Sequence, residues 1–398
     1  MDTSRRQFLK SCAVAASAVP CAAALAGLCK SAGKAFAAEP APDEPVQGRP
    51  GKVMEARFYE KRDDNRIECT LCTRHCSVGE GDRGYCRVRE NRKGVYYTLV
   101  YGNPCSGLDG GMPDPIEKKP LFHFLPGTKA YSIATAGCNV QCLFCQNWQI
   151  SQSRPDDTFN FELLPNAVIA KAREYKCPSV AFTYSEPTVF YEYMYDTAAA
   201  GRKQGIHSVM ISNGHMEREP LSKLCDVLSG VKIDLKAFTE DFYRNIVKGR
   251  LKSVLATLKL LKEKGMWFEI VYLVIPTLND KMEEIRAMSK WVKAELGPTV
   301  PVHFTAFFPT YKLRNLPNTP PKTVEAARDT AMDVGLKYVY VGNVWRAEGH
   351  PGESTYCHNC GKRIIHRTGF RVREIRMADG ACEFCKTKIP GFWDAKSI

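Results

Sequence analysis

The sequence lacks a convincing membrane span: its N-terminal apolar stretch, residues 11–28, is broken by Pro20 and Gly27 and falls short of the ~20 apolar residues a crossing helix needs. It also lacks a concentrated basic block outside the extreme N-terminus. The formal charge is +13, but the surplus divides as +4 in residues 1–37, +1 in 38–130, +4 in 131–345 and +4 in 346–398. That even spread counts against nucleic acid as a partner, because a binder concentrates its charge on one face. A disordered or collagenous composition is absent too. At 398 residues, 44% hydrophobic and 25% charged, the chain reads as globular, with one large domain and appendages or two to three domains. A disulfide framework is poorly supported, since 17 cysteines is an odd number in a chain too long for a small secreted scaffold. Metal ligation is the stronger reading.

Ser4-Arg5-Arg6-Gln7-Phe8-Leu9-Lys10, an Ala-rich stretch and Ala35-Phe36-Ala37 together resemble a twin-arginine export signal over residues 1–37 with cleavage near Ala37. The resemblance implies the Tat translocase as a partner and the periplasm or cell envelope as destination, with activity before export left open. Residues 38–52, with four prolines among acidic and small residues, read as an extended linker, and folded structure is expected from about Val53.

Outside the signal, 11 of 14 cysteines fall into three clusters at metal-ligand spacing. Cys105, Cys177 and Cys225 stand alone and read as buried small hydrophobes. Cys138, Cys142 and Cys145 form a CxxxCxxC triplet with Phe144 before its last member. Three thiolates cannot fill four irons, so a 4Fe-4S cluster held this way keeps one iron open to a small molecule. A ferredoxin needs a fourth cysteine nearby, and none follows before Cys177. The triplet resembles the cluster motif of radical S-adenosylmethionine (SAM) enzymes. The resemblance implies a reduced cluster that cleaves SAM to methionine and a 5′-deoxyadenosyl radical, supplied by a low-potential flavodoxin or ferredoxin.

Residues 131–345 alternate apolar, β-branched runs (131–136, 180–184, 207–212, 231–235, 268–275, 302–308 and 338–341) with helical patterns (164–175, 189–204, 251–264, 282–296 and 324–334). This predicts an α/β fold, a six-stranded partial (β/α) barrel with an added strand, and functional residues at the C-terminal strand ends. The triplet sits after the first strand; Tyr184-Ser185-Glu186-Pro187, Ser212-Asn213-Gly214-His215 and Asp234-Leu235-Lys236 close the next three. In the radical enzymes similar to pyruvate formate-lyase activating enzyme, a Gly-Gly-Glu turn holds the methionine amino group and a DLK element lies beside the ribose and methionine carboxylate. Glu186, Asp234 and Lys236 match those positions, while Tyr184 and Ser185 stand where that family has glycines. Glu186, Ser185, Asn213, Asp234 and Lys236 are therefore the candidate cofactor contacts. Tyr311 stands where that family has a histidine, Asn139, Gln146, Asn147 and Trp148 flank the cluster, and His303 and Asn343 line later strands, His303 reading as a satisfied core histidine.

Two further sites flank this region. Cys357, Cys360, Cys382 and Cys385 form two CxxC pairs separated by 21 residues, with Gly361 at the first turn, and predict a zinc-ribbon-like domain over residues 346–398, rubredoxin-like iron being the alternative. Cys69, Cys72, Cys76 and Cys86 form a four-ligand set in an N-terminal Cys-rich domain, residues 53–130, suited to zinc or an auxiliary iron–sulfur cluster, with His75 as an alternative ligand. These motifs, with residues 114–123 (Asp-Pro-Ile-Glu-Lys-Lys-Pro-Leu-Phe-His), 183–188 and 338–344, resemble the AmmeMemoRadiSam system radical SAM enzymes from Cys69 to Trp393; residues 105–113 look like an insertion. The likeness to activating enzymes implies hydrogen abstraction from a protein glycine. The competing readings are an exported iron–sulfur electron carrier and a zinc-ribbon nucleic-acid binder, neither of which needs Glu186, Asp234 and Lys236 as a cofactor pocket.

Overall fold

The computed structural model describes residues 46–344 and 349–394; the export-signal reading lies outside the described residues. An eight-stranded sheet dominates: β1 (Met112–Pro115), β2 (Lys129–Ile133), β3 (Ser179–Phe182), β4 (His207–Ser212), β5 (Gly230–Asp234), β6 (Phe268–Val274), β7 (Val302–Ala306) and β8 (Val339–Gly342). Neighbours pair in chain order, parallel from β2 to β8 and antiparallel between β1 and β2. Six helices connect successive parallel strands: α1 (Pro165–Glu174), α2 (Tyr191–Lys203), α3 (Arg218–Leu224), α4 (Leu251–Glu263), α5 (Met282–Trp291) and α6 (Pro321–Val334).

Alternation within each strand divides the side chains between two faces. One face presents Val180, Phe182, Met210, Val231, Ile233, Ile270 and Val302 to a core shared with Val168, Met194, Leu258, Ile285 and Val324 of the helices. Each fully buried aliphatic side chain there contributes roughly 1.5–3 kcal/mol. At the lower end of the other face, Ala130, Ala181, Val209 and Ile211 pack against Ile116, Leu121, Phe124 and Leu125. The C-terminal segment joins this plug, since Leu125 N–H donates to Phe392 O at 2.8 Å and Phe392 N–H donates to His123 O at 2.7 Å.

All seven expected parallel strands are present. The expected added strand is joined by another, β1, which the sequence reading missed. Met-Pro-Asp-Pro carries two residues without an amide donor, and such a segment is tolerated in a sheet only at an edge, which is where β1 lies. The expected boundary at residue 130 consequently cuts through the sheet. The expected linker 38–52 is corrected as well: Val46–Gln47 pairs antiparallel with Phe159–Asn160, and Lys52–Glu55 with Val95–Tyr101. Backbone pairing with an available strand holds this chain without requiring apolar side chains.

Of the N-terminal cysteines, Cys69 ends the middle strand of a small antiparallel sheet of Tyr59–Lys61, Ile67–Cys69 and Ser77–Val78, Cys72 and Cys76 lie on the connection to its last strand, and Cys86 follows that strand. In the C-terminal segment, Cys357 and Cys360 lie on the turn between the first two strands of a second sheet, Thr355–Tyr356, Arg363–Thr368 and Arg371–Ile375, and Cys382 and Cys385 follow its last strand.

Candidate functional site

The ends of β2 to β8 open into a cavity of about 510 Å³. Cys138, Cys142 and Cys145 line it, on the loop that follows β2. Gly137 begins this loop at φ +97°, and a methyl group there would lie 2.6 Å from Val88 and 2.7 Å from the carbonyl oxygen of Cys86. Only glycine fits both the conformation and the space. Backbone bonds then pin the loop: Gln141 N–H donates to Val247 O at 3.1 Å, Leu143 N–H to Ile246 O at 3.0 Å and Gly137 N–H to Ile150 O at 2.9 Å. Burial pushes the Cys142 thiol up to about 12 against the opposing pull of Lys236. Burial disfavours the bare thiolate, and a bound cation would offset that cost.

Opposite the thiols stands a row of charges from β5 and its extension. Lys232, Asp234 and Lys236 alternate along the strand and so share a face. The Asp234 carboxylate accepts from Lys236 Nζ at 3.1 Å and from Lys232 Nζ. Burial opposes the Asp234 charge, but the two lysines outweigh it and hold its pKa down to about 2. Burial likewise opposes the Lys236 cation, yet Asp234 keeps it protonated well above the usual lysine range. Lys232 was missed by the sequence reading, although the same period of two, counted back from Asp234, points to it.

Glu186 is 2% exposed. Its Oε1 accepts from Thr188 N at 3.0 Å, Thr188 Oγ1 at 2.6 Å and Ser212 Oγ at 2.7 Å, and among the described residues its Oε2 accepts only from Asn213 N at 2.8 Å. Oε1 is thus used in tying the β3 loop to the end of β4, and Oε2 keeps acceptor capacity toward the cavity that Glu186 lines. Ser185 Oγ, also on the cavity wall, is buried without a hydrogen-bond partner among the described residues. Tyr184 takes φ +64°, the left-handed conformation that glycine enters freely, so a tyrosine preserves the turn at a strain of order 1–3 kcal/mol. Its carbonyl accepts from Asn147 Nδ2 at 2.9 Å and its hydroxyl bonds Asp114, which also accepts from Lys118 and Lys119 at 2.9 Å each. Asp114, Lys118 and Lys119 enter the sequence reading only within a longer resemblance, without a role.

Asn213 reaches the cluster side. Its Nδ2 lies 3.7 Å from Cys138 Sγ and 2.8 Å from Asn139 Oδ1, and its Oδ1 accepts from His215 N at 2.9 Å. Its amide therefore orients the thiol loop, and Asn213 lines the same cavity as the thiols. Asn139 completes the brace by donating to His215 O at 2.7 Å. His303 is buried with Nε2 2.7 Å from Glu269 Oε2 and its ring stacked on Tyr340, and it also lines the cavity. Tyr311 stacks on Trp148 with ring centroids 5.3 Å apart.

Residues 132–289 match the model of the Radical SAM superfamily. The chain belongs to the radical SAM superfamily. Across 339 residues it is 46% identical to an uncharacterised protein of Methanocaldococcus jannaschii, covering 85% of this chain and 99% of that one. It is also similar to the pyruvate formate-lyase 1-activating enzyme of Escherichia coli K12, at 23% identity over 218 residues, covering 51% of this chain and 89% of the enzyme. Among solved structures, a radical SAM methyltransferase from Sphaerobacter thermophilus matches with a TM-score of 0.45 and 16% identity, over 55% of this chain and 67% of that one. Membership of the radical SAM superfamily implies a 4Fe-4S cluster and SAM as cofactors, and the cavity's donor set fits them: three thiols on one loop, lysines and carboxylates on the same lining, and a serine hydroxyl without a partner among the described residues.

The two outlying cysteine sets differ in shape. In the C-terminal set all four thiols lie within 4.8 Å of one another, with Cys357 to Cys385 at 3.6 Å and Cys360 to Cys382 at 3.8 Å. A tetrahedral ion with ~2.3 Å bonds to sulfur places its ligands ~3.8 Å apart, so this set fits one metal ion. Gly361 takes φ +71° at the turn, as its position requires. In the N-terminal set the thiols instead surround a small cavity. His75 is not a fifth candidate there, because its ring turns outward to Glu217 at 2.9 Å and Glu68 at 3.6 Å.

Proposed function

We propose that the protein is a radical SAM enzyme of the AmmeMemoRadiSam type, with Cys138, Cys142 and Cys145 holding the 4Fe-4S cluster in a partial-barrel fold. The observation that carries this is the single cavity shared by the three thiols, Ser185, Glu186 and the Lys232–Asp234–Lys236 row. When bound, cluster and SAM supply reductive cleavage to methionine and a 5′-deoxyadenosyl radical that abstracts hydrogen from substrate. Lys236, held protonated, is suited to a carboxylate, and ionised Asp234 to the hydroxyls of a ribose. The open side of Glu186 Oε2, with Ser185 Oγ, is suited to an ammonium group. Asn213 and Asn139 act by positioning the thiol loop. Lys119, Asn343 and the half-exposed Phe370, which also line the cavity, are assigned to the substrate, in this reading a polypeptide glycine.

Zinc in the C-terminal set, a flavodoxin or ferredoxin donor, and Tat export of the folded, cofactor-loaded chain complete the reading. The decisive experiment is anaerobic reconstitution, dithionite reduction and assay for 5′-deoxyadenosine after adding SAM. The expected result is its formation by the parent protein and its loss in Cys142→Ala. A reconstituted, reducible cluster that yields none would reverse the proposal in favour of an electron carrier.

A further inference from the structure

The N-terminal cysteines sit in a different environment from the C-terminal ones. Among the described residues, Cys357, Cys360, Cys382 and Cys385 are the one set of three or more ligating side chains that converge within 4.8 Å. Cys69, Cys72, Cys76 and Cys86 do not converge but line a common cavity, as the Cys138 triplet also does. Thiols spread around a space suit a polynuclear group, whereas one ion draws four thiolates together.

The wall of the cavity calls for a bound anionic group. Arg89, 1% exposed, lies against it and uses Nε on Val189 O at 3.2 Å and Nη2 on Glu192. Its Nη1 is buried with no partner among the described residues. An orphaned buried guanidinium N–H is costly unless an acceptor is supplied, and the sulfur of an anionic cluster is such an acceptor.

The cavity also touches the catalytic loop. Arg74, between Cys72 and Cys76, donates through Nε to Asn139 O at 2.8 Å. Cys86 O abuts Gly137, the residue before Cys138, so closely that a methyl group there would lie 2.7 Å away. Asn139 itself lines the N-terminal cavity.

We infer that Cys69, Cys72, Cys76 and Cys86 hold a second 4Fe-4S cluster, set directly beside the loop that carries the first. Only the identity of that neighbour rests on the radical SAM reading. The test uses the full chain with Cys138, Cys142 and Cys145 all replaced by alanine, reconstituted anaerobically with iron and sulfide. This variant should bind about four iron and four sulfide per chain and give a 4Fe-4S electron paramagnetic resonance signal on reduction. Bound metal at the C-terminal set, measured in the same sample, reports that the chain has folded. A folded variant that binds zinc in place of iron at the N-terminal set overturns the inference. Because this variant cannot cleave SAM by the proposed route, the result is independent of whether the parent protein makes 5′-deoxyadenosine. In the parent protein, with both clusters reduced, the spectrum should be split or broadened by magnetic interaction. A simple sum of two isolated signals would overturn the adjacency.

Discussion

Asp234 shows how much one side chain on this face controls. It neutralises Lys232 and Lys236, both of which are largely buried, so removing its charge leaves two cations facing each other across a carboxamide. Hydrogen bonds to charged groups are worth ~1.5–3 kcal/mol. Asp234→Asn should therefore weaken SAM binding by roughly 10- to 100-fold, read by calorimetry on the reconstituted protein, while the iron content stays unchanged. Retained affinity would place the ribose elsewhere. Tyr184 makes a related point about reading single residues. Its replacement of a family glycine casts doubt on the turn at the level of composition, yet the backbone takes φ +64° because the hydroxyl on Asp114 and the carbonyl on Asn147 hold it there. Of the three isolated cysteines Cys177 is buried as expected, whereas Cys105 and Cys225 are only partly buried, and burial pushes the Cys177 and Cys225 thiols up to about 11.

At the level of elements, the cluster loop and the C-terminal hairpin each depend on one residue that faces another part of the chain. Gly137→Ala adds a methyl group against Cys86 O and Val88 in a left-handed conformation. The combined strain and overpacking should cost roughly 2–4 kcal/mol, visible as a lower urea midpoint with an unchanged slope. In strand Arg363–Thr368, Arg367 is fully buried and reaches Glu117 Oε1 at 3.4 Å, Phe122 O at 2.7 Å and Thr355 Oγ1 at 2.8 Å. Glu117 Oε2 is buried without a partner among the described residues, so Arg367 supplies its compensating charge. Arg367→Met strands that carboxylate and should cost about 3–5 kcal/mol, whereas Arg367→Met with Glu117→Gln should recover part of the loss. Additive losses in this double-mutant cycle would show that the pair is not coupled.

Across the whole molecule, the plug beneath the sheet links segments from distant parts of the sequence and carries a pH dependence. His123 is completely buried, with Nδ1 2.7 Å from Pro390 O and Nε2 2.6 Å from Tyr340 Oη. Burial drives its pKa down to about 4, against the opposing field of Glu269. The unfolded chain, titrating near 6.5, binds this proton first as pH falls. The stabilisation is therefore fully present above pH ~6.5 and is lost progressively as pH falls toward ~4, on the order of 3 kcal/mol in all. Urea midpoints between pH 7 and 4.5 should decline in the parent and decline less in His123→Gln; equal slopes would remove His123 as the cause.

The grouping of the C-terminal cysteines, the seven parallel strands and the strand-end positions of the site were legible because local rules control them. Ligand spacing along a chain is set by covalent geometry, β-branched runs alternating with amphipathic stretches specify strand and helix, and a period of two places Asp234 and Lys236 on one face. The sequence by itself also separated three-ligand from four-ligand cysteine sets. Other features depend on contacts between residues far apart in the chain, which spacing does not encode. The edge strand Met112–Pro115 exists because β2 offers it a partner, Glu186 spends Oε1 on the neighbouring β4, and Arg367 meets Glu117 across 250 positions. The two four-cysteine sets look alike as motifs, and only tertiary packing decides that one closes on a single point while the other surrounds a space beside the catalytic loop.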